Sequence, residues 1–229
     1  MEKNYLVTNS SYFIMNSNYD LSLEEQKIIL ALASTVKPND EDFKSYTFKI
    51  SYFIELLDIE TKSKYTNILK ITKELMKKVF EIKEENKLIQ ISWLSSVTYE
   101  EDNELLELEF SPKLKSYMLQ LKEKFTKYKS ANILCMKSKY SPRVYELLKC
   151  NKFEKKGFIE IEVDELRKIL KTEDIYPLYA DFKRYIIIRT QRELMKLSDI
   201  SFDFEEVKTG RKVTSIIFFI CSYNLKDKK

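Results

Sequence analysis

Arg184, Arg189 and Arg192 lie within the nine residues 184–192, and Arg211 follows shortly after. They are four of only six arginines in a chain whose 40 basic residues are otherwise lysine. An arginine fork donates to a guanine edge or a phosphate through two bonds at once, whereas a lysine ammonium acts as a point charge. Across residues 182–197 five basic side chains face one acid, Glu193, for a net charge of +4. The chemistry such a cluster performs is recognition of a polyanion.

Those arginines need a helix to aim them. At about 100° per residue, Phe182, Ile186, Thr190, Leu194 and Leu197 form one apolar stripe that should pack inward. The opposite face presents Arg184, Ile188 and Arg192, flanked by Tyr185, Arg189, Gln191 and Lys196. Arg and Gln there match base edges in a major groove, and Ile188 or Tyr185 matches a thymine methyl. Lys183 falls nearer the buried flank, where a phosphate contact suits it. The ordinary alternative is a solvated, salt-bridged face. Opposing acids at i±4 are mostly missing and an apolar residue sits mid-face, so the reading as a DNA-contacting helix is preferred.

Beyond the helix, Lys208-Thr-Gly-Arg-Lys212 separates two β-rich runs, 200–207 and 213–222. Thr209-Gly210 there predicts a tight hairpin, with glycine supplying positive φ. Lys208, Arg211 and Lys212 at its tip suit a DNA backbone or minor groove, and suit a plain soluble turn equally well.

The same order of elements precedes this in the first half. Ser22-Leu-Glu-Glu25 is a capping-box signature ahead of Ile29, Leu32, Ala33 and Val36 at helical spacing, and Pro38-Asn39-Asp40 should end that helix. A strand at 46–50, a short helix around 53–57 and a longer helix with Tyr65, Ile68, Leu69, Thr72, Leu75, Met76 and Val79 on one face follow. Strands are then expected at 80–83, 88–99 and 105–110. In the second half Ser141 as N-cap and Pro142 at the first helical position open a helix, before a strand at 158–161 and a short helix with Leu166, Ile169 and Leu170. Lys73-Glu-Leu-Met-Lys77 and Arg192-Glu-Leu-Met-Lys196 echo each other near the ends of the two long helices. The expectation is an α+β chain of two tandem winged-helix domains in pseudo-repeat. The first is placed at 1–137, the second at 138–229, with a helix opened by Ser111-Pro112 as a rather rigid bridge. Lys62, Lys64, Lys70, Lys73 and Lys77 on the first long helix fit non-specific phosphate contact or a solvated face.

The 229 residues carry 44% hydrophobic and 33% charged side chains with only 2 Gly and 4 Pro, a globular composition able to bury two cores. Residues 1–137 have a net charge of −1 and residues 138–229 a net charge of +5, so the second half is the one expected to meet a polyanion. With no histidine in the chain, Ser-His-Asp and Cys-His nucleophiles and His-based metal sites are excluded. Gly157 and Gly210 alone cannot build a phosphate loop. No catalytic residue, metal or cofactor is expected. No apolar run reaches the roughly 18 residues of a membrane span, and residues 1–20 lack the pattern of a secretory leader. Cys135, Cys150 and Cys221 are expected to be buried free thiols of a cytoplasmic protein.

Lys137-Ser-Lys-Tyr-Ser-Pro-Arg-Val-Tyr-Glu-Leu-Leu-Lys149 resembles the phrase that opens the second domain in initiator replication proteins of iteron-type plasmids. The similarity continues through Val163-Asp-Glu-Leu-Arg167, Tyr179-x-Asp-Phe-Lys183 and Lys208-Thr-Gly-Arg-Lys212, with Leu21 to Gln26 and Ser111-Pro-x-Leu114 upstream. The resemblance implies tandem winged-helix domains without catalysis. It implies monomers that bind repeated double-stranded sites at a plasmid origin, help open it and recruit the host initiator and helicase. It also implies a homodimer in equilibrium with the monomer, often repressing the initiator's own promoter. The second domain would carry most of the sequence reading, the first the dimer surface and backbone contacts. A winged-helix transcriptional regulator without origin function is the alternative, and a nuclease or nicking enzyme the third reading.

Overall fold

The computed structural model describes residues 6–37, 40–59, 64–121, 124–152 and 157–222. It divides into two compact units, residues 1–130 and 131–229.

The first unit runs β1 (Leu6–Ser10), α1 (Ser11–Asn16), β2 (Ser17–Asn18), α2 (Leu23–Ala33), β3 (Tyr46–Lys49), α3 (Ile50–Leu57), α4 (Lys64–Lys77), β4 (Val79–Glu84), β5 (Lys87–Ser92), β6 (Leu94–Glu100), β7 (Leu105–Phe110), a 3₁₀ turn (Pro112–Leu114), α5 (Lys115–Met118) and β8 (Phe125–Lys129). The capping box forms as expected. The Ser22 hydroxyl accepts the Glu25 N–H at 3.2 Å, and the Glu25 carboxylate accepts the Ser22 N–H at 2.6 Å. On α4, Ile68, Thr72 and Leu75 are buried, while Tyr65 and Leu69 of the expected stripe are exposed.

The second unit contains α6 (Ala131–Leu134), α7 (Ser141–Asn151), β9 (Phe158–Glu162), α8 (Val163–Leu170), a continuous helix α9 over 179–197, β10 (Ile200–Thr209) and β11 (Lys212–Ser222). The repeat is visible in local detail. In each unit a strand passes without a loop into an eight-residue helix, β3 into α3 and β9 into α8. Both helices end on a left-handed residue, Asp58 at φ 56° and Lys171 at φ 51°. The sheets match too, in the order β3-β7-β6 and β9-β11-β10, and both are antiparallel. Each unit therefore has the winged-helix arrangement of helix, strand, two helices and hairpin.

Several expectations change. The single strand over 88–99 is two strands in different sheets, broken at Trp93. That indole is 4% exposed and packs against Phe80 at 4.4 Å, Tyr19 at 5.2 Å and Phe13 at 5.9 Å, which turns the chain inward between β5 and β6. The bridge helix is a 3₁₀ turn followed by the four-residue α5, and the chain then returns as β8 to pair with β1, Leu6 opposite Lys129 and Ser10 opposite Phe125. Ser141 is not an N-cap. Tyr140 holds that position, and the fully buried Ser141 hydroxyl is 3.3 Å from Thr190 Oγ1 on α9. The cysteines form no disulfide and are not buried, Cys135 being exposed and the other two half-buried. The first-half helix ends at Ala33, and Pro38 and Asn39 lie outside the described residues.

Candidate nucleic-acid interface

The α9 helix is built in three parts: α-helical Tyr179–Phe182, a π-helical turn Lys183–Ile188, and α-helical Arg189–Leu197. The wide turn accommodates one extra residue on the inner side, so Ile186 and Ile187 are both fully buried together with Phe182, Thr190 and Leu194. It also changes the outer face. In pure α geometry residues five apart sit about 140° from each other. The i→i+5 turn draws Arg184 and Arg189 closer to one line, above Arg192.

Arg184, Tyr185, Arg189, Arg192 and Lys196 are exposed, Tyr185 at 42%, and Ile188 is half-buried among them. Two residues of the expected face are held elsewhere. The Gln191 amide donates to the Phe202 carbonyl at 2.8 Å and to Asp203 Oδ1 at 3.2 Å, so both its N–H groups are spent on β10. Lys183 pairs with Glu206 at 2.7 Å and lies 5.5 Å over the Phe204 ring. Glu206 also accepts from the Tyr179 hydroxyl at 3.1 Å. The Lys183 hydrogen bond holds the Glu206 carboxyl below its usual value, while burial and then Glu206 push the Tyr179 hydroxyl up. These three fasten the start of α9 to β10. Glu193, the acid of the basic stretch, accepts the backbone N–H groups of Lys137 and Ser138, each at 3.2 Å. It is turned onto its own unit's backbone rather than onto the arginines.

The β10–β11 hairpin closes with Thr209 opposite Lys212, leaving Gly210 and Arg211 as its two central residues. Gly210 has φ 62° and Arg211 does not share the positive φ, the pattern of a type II′ turn. A bulge between Val207 and Lys208 adds twist. Lys208, Arg211 and Lys212 are all exposed at the tip. Lys212 has Asp164 at 3.8 Å, but both side chains are over 70% exposed and the pair contributes little. The face and the tip both come from the second unit and are both positive.

Sequence reasoning missed Glu206 and the buried Arg167, 9% exposed. Glu206 gives no local signal, because its partner lies 23 positions earlier in the chain. In the first unit Lys70, Lys73 and Lys77 are exposed on α4, with Lys77 paired to Glu74 at 2.7 Å. Lys62 and the Lys64 side chain lie outside the described residues.

The family model "Initiator Replication protein, WH1" matches residues 6–149, and "Initiator Rep protein, WH2" matches residues 162–220. The chain belongs to the initiator replication protein family. An Escherichia coli "Replication initiation protein" is 30% identical over 213 residues, and the match takes in 88% of this chain and 65% of that relative. The chain thus spans just under two-thirds of the length of that curated relative. Among solved structures, the Pi initiator protein in complex with iteron DNA superposes with a TM-score of 0.78 at 18% identity, covering 98% of this chain and 100% of that one. Domains 2 and 3 of RctB superpose with a TM-score of 0.51 at 12% identity, over 88% and 82% of the two chains. Both likenesses concern the fold. The WH1 segment covers the described first unit and runs past residue 130 into α7, and the WH2 segment lies within the second unit. Among the described residues no group of His, Cys, Asp and Glu is placed to hold a metal, and no helix is long and apolar enough to cross a membrane.

Proposed function

We propose that this initiator binds repeated double-stranded sites at a plasmid origin, with α9 in the major groove and the β10–β11 tip on the backbone or minor groove. The observation that carries this is the exposed row of Arg184, Arg189 and Arg192 and the exposed tip of Lys208, Arg211 and Lys212 in one unit, with Glu193 and Glu206 engaged by other partners. Tyr185, Ile188 and Lys196 border the same face. The likeness in fold to an initiator crystallised with iteron DNA supports binding of repeated sites. Lys183 and Gln191 serve this site by fixing α9 on β10 rather than by touching bases. The protein acts by binding in the cytoplasm, without a catalytic step or cofactor. It helps open the origin and recruits the host initiator and helicase.

In this reading the boundary of labour lies near residues 130–137. The first unit supplies phosphate contacts through Lys70, Lys73 and Lys77 and a surface for a second copy. Self-association is supported by β5, an edge strand in the order β2-β4-β5, with Leu88 61% exposed and Val79 59% exposed on the same sheet face.

DNase footprinting on the replicon that encodes the chain tests the proposal. Protection of direct repeats at the origin is the expected result. Protection of an operator in its own promoter alone would favour a transcriptional regulator, and metal-dependent cleavage of the origin a nuclease.

A further inference from the structure

The stretch 171–178 joins α8 to α9, and its conformation is held by one buried side chain. Arg167 Nη1 donates to the carbonyls of Thr172 at 3.1 Å and Ile175 at 3.0 Å, and Nη2 donates to the Tyr176 carbonyl at 2.8 Å. Its guanidinium carbon lies 4.3 Å from the centre of the fully buried Phe182 ring, in the first turn of α9. One planar fork thus bonds three loop carbonyls and stacks on the helix they lead into, which a lysine cannot reproduce.

Tyr176, where the third carbonyl is caught, has φ 56°. L side chains rarely adopt that conformation, and residues held in it cluster at functional sites. The ring of Tyr176 does not enter the core. It stacks on Tyr185 at 5.1 Å with the planes 23° apart, and Tyr185 is itself 42% exposed. On Tyr185, in turn, the Arg184 guanidinium lies 5.4 Å from the ring centre. A chain of contacts runs from Arg167 through Tyr176 and Tyr185 to Arg184, from the interior to the outward face of α9.

We propose that Tyr176 is a positioning residue for sequence reading: its left-handed backbone, fixed by Arg167, stacks its ring behind Tyr185 and so presets Tyr185 and Arg184 for the base edges. This rests on the proposed use of α9 in the major groove. A loop needed only to connect two helices has no use for a strained tyrosine whose ring lies against an exposed partner. Presetting two side chains before binding removes the rotamer freedom otherwise lost at the interface, and it acts on base contacts rather than phosphate contacts.

The test uses full-length protein and two duplexes: one selected by the wild-type protein from a randomised pool, and a scrambled duplex of the same composition. Binding is followed by fluorescence anisotropy at a temperature where far-UV circular dichroism shows every variant folded. Tyr176→Asn keeps a residue that tolerates the left-handed region but removes the ring, and Tyr176→Phe keeps the ring. The expected result is that Tyr176→Asn lowers the ratio of selected to scrambled affinity by about tenfold. Scrambled affinity and its salt dependence should stay at wild-type values, and Tyr176→Phe should behave as wild type. In a Tyr185→Ala background Tyr176→Asn should have no further effect, because the two act as one unit. A wild-type ratio in Tyr176→Asn, or an equal loss with and without Tyr185, overturns the positioning role alone. Failure of the wild-type protein to select any sequence overturns base reading by α9, and this role with it.

Discussion

Each unit builds the same wing, and the two tips carry opposite charge. The β6–β7 hairpin turns on Glu101-Asp102-Asn103-Glu104, all exposed, whereas the β10–β11 hairpin turns between Lys208 and Lys212 with Arg211 at its apex. The acidic tip is turned to internal work. Glu104 accepts the Tyr65 hydroxyl at 2.6 Å and its carbonyl accepts the Ile50 N–H at 2.8 Å, tying the tip to α4 and α3. The long helices differ in the same sense: α4 exposes lysines, one paired to Glu74, and α9 exposes arginines. A repeated fold thus presents two differently charged tips and helix faces through side-chain choice. The wing able to approach phosphates and the helix able to grip bases belong to the same unit.

A second contrast lies inside. In both units an ion pair joins the first winged-helix helix to a residue one or two positions past the long helix, with the signs exchanged. Glu25 of α2 pairs with Lys78 after α4 at 2.6 Å, and Lys149 of α7 pairs with Asp199 after α9. In the second unit the clamp has more partners, because Asp199 also accepts the Tyr145 hydroxyl and the Asn132 amide, at 2.9 and 3.0 Å. Burial, then the Asp199 charge, pushes the Tyr145 hydroxyl far above its usual value.

The largest expected effect separates these clamps. Asp199→Ala leaves the Lys149 ammonium, 8% exposed, without its counter-charge and should cost about 3 kcal/mol of stability, the low end because Asp199 is itself 30% exposed. Glu25→Gln, opposite a Lys78 that is 34% exposed, should cost clearly less. Urea denaturation followed by circular dichroism measures both, and equal losses would erase the distinction. The wings come next. Arg211→Ala should weaken binding to selected and scrambled DNA alike by about 1 kcal/mol and reduce the salt slope by about one. Glu101→Ala or Asp102→Ala at the other tip should leave DNA binding unimpaired. A loss at the acidic tip to match that at Arg211 would mean that both wings meet DNA. The smallest effect is a pH dependence. The folded-state value of Glu206 lies below its usual 4.5, so the Lys183–Glu206 pair stabilises above that pH and is lost as pH falls through the folded value. The melting temperatures of wild type and Glu206→Gln should therefore differ at pH 7 and converge under acid, below pH 4.5. A gap unchanged under acid would mean that the Glu206 charge contributes nothing.

What could be seen in the sequence was local. The Ser22 capping box, the Gly210 turn and the arginine face are each written in a few neighbouring residues and governed by short-range geometry. What could not be seen was set at a distance. Pairing of β1 with β8 joins residues more than 110 positions apart and turned an expected bridge into a sheet. The break at Trp93 follows from an aromatic cluster assembled from α1, β4 and the chain after β2. The π turn in α9 shifted which residues share a face, burying Ile187 as well as Ile186, and the β10 backbone claimed Gln191. In the interface, the charges were legible and the scaffold that orients them was not.

The proposed division of labour gives base reading to the second unit and phosphate contact to the first. One comparison tests it most directly: the ratio of selected to scrambled affinity in Arg184→Ala/Arg192→Ala and in Lys70→Ala/Lys73→Ala/Lys77→Ala. The arginine variant should lose about 1–3 kcal/mol of discrimination per side chain, bringing the ratio close to one. The lysine variant should bind both duplexes more weakly with the ratio preserved. An arginine variant that keeps its ratio while the lysine variant loses it would contradict the account.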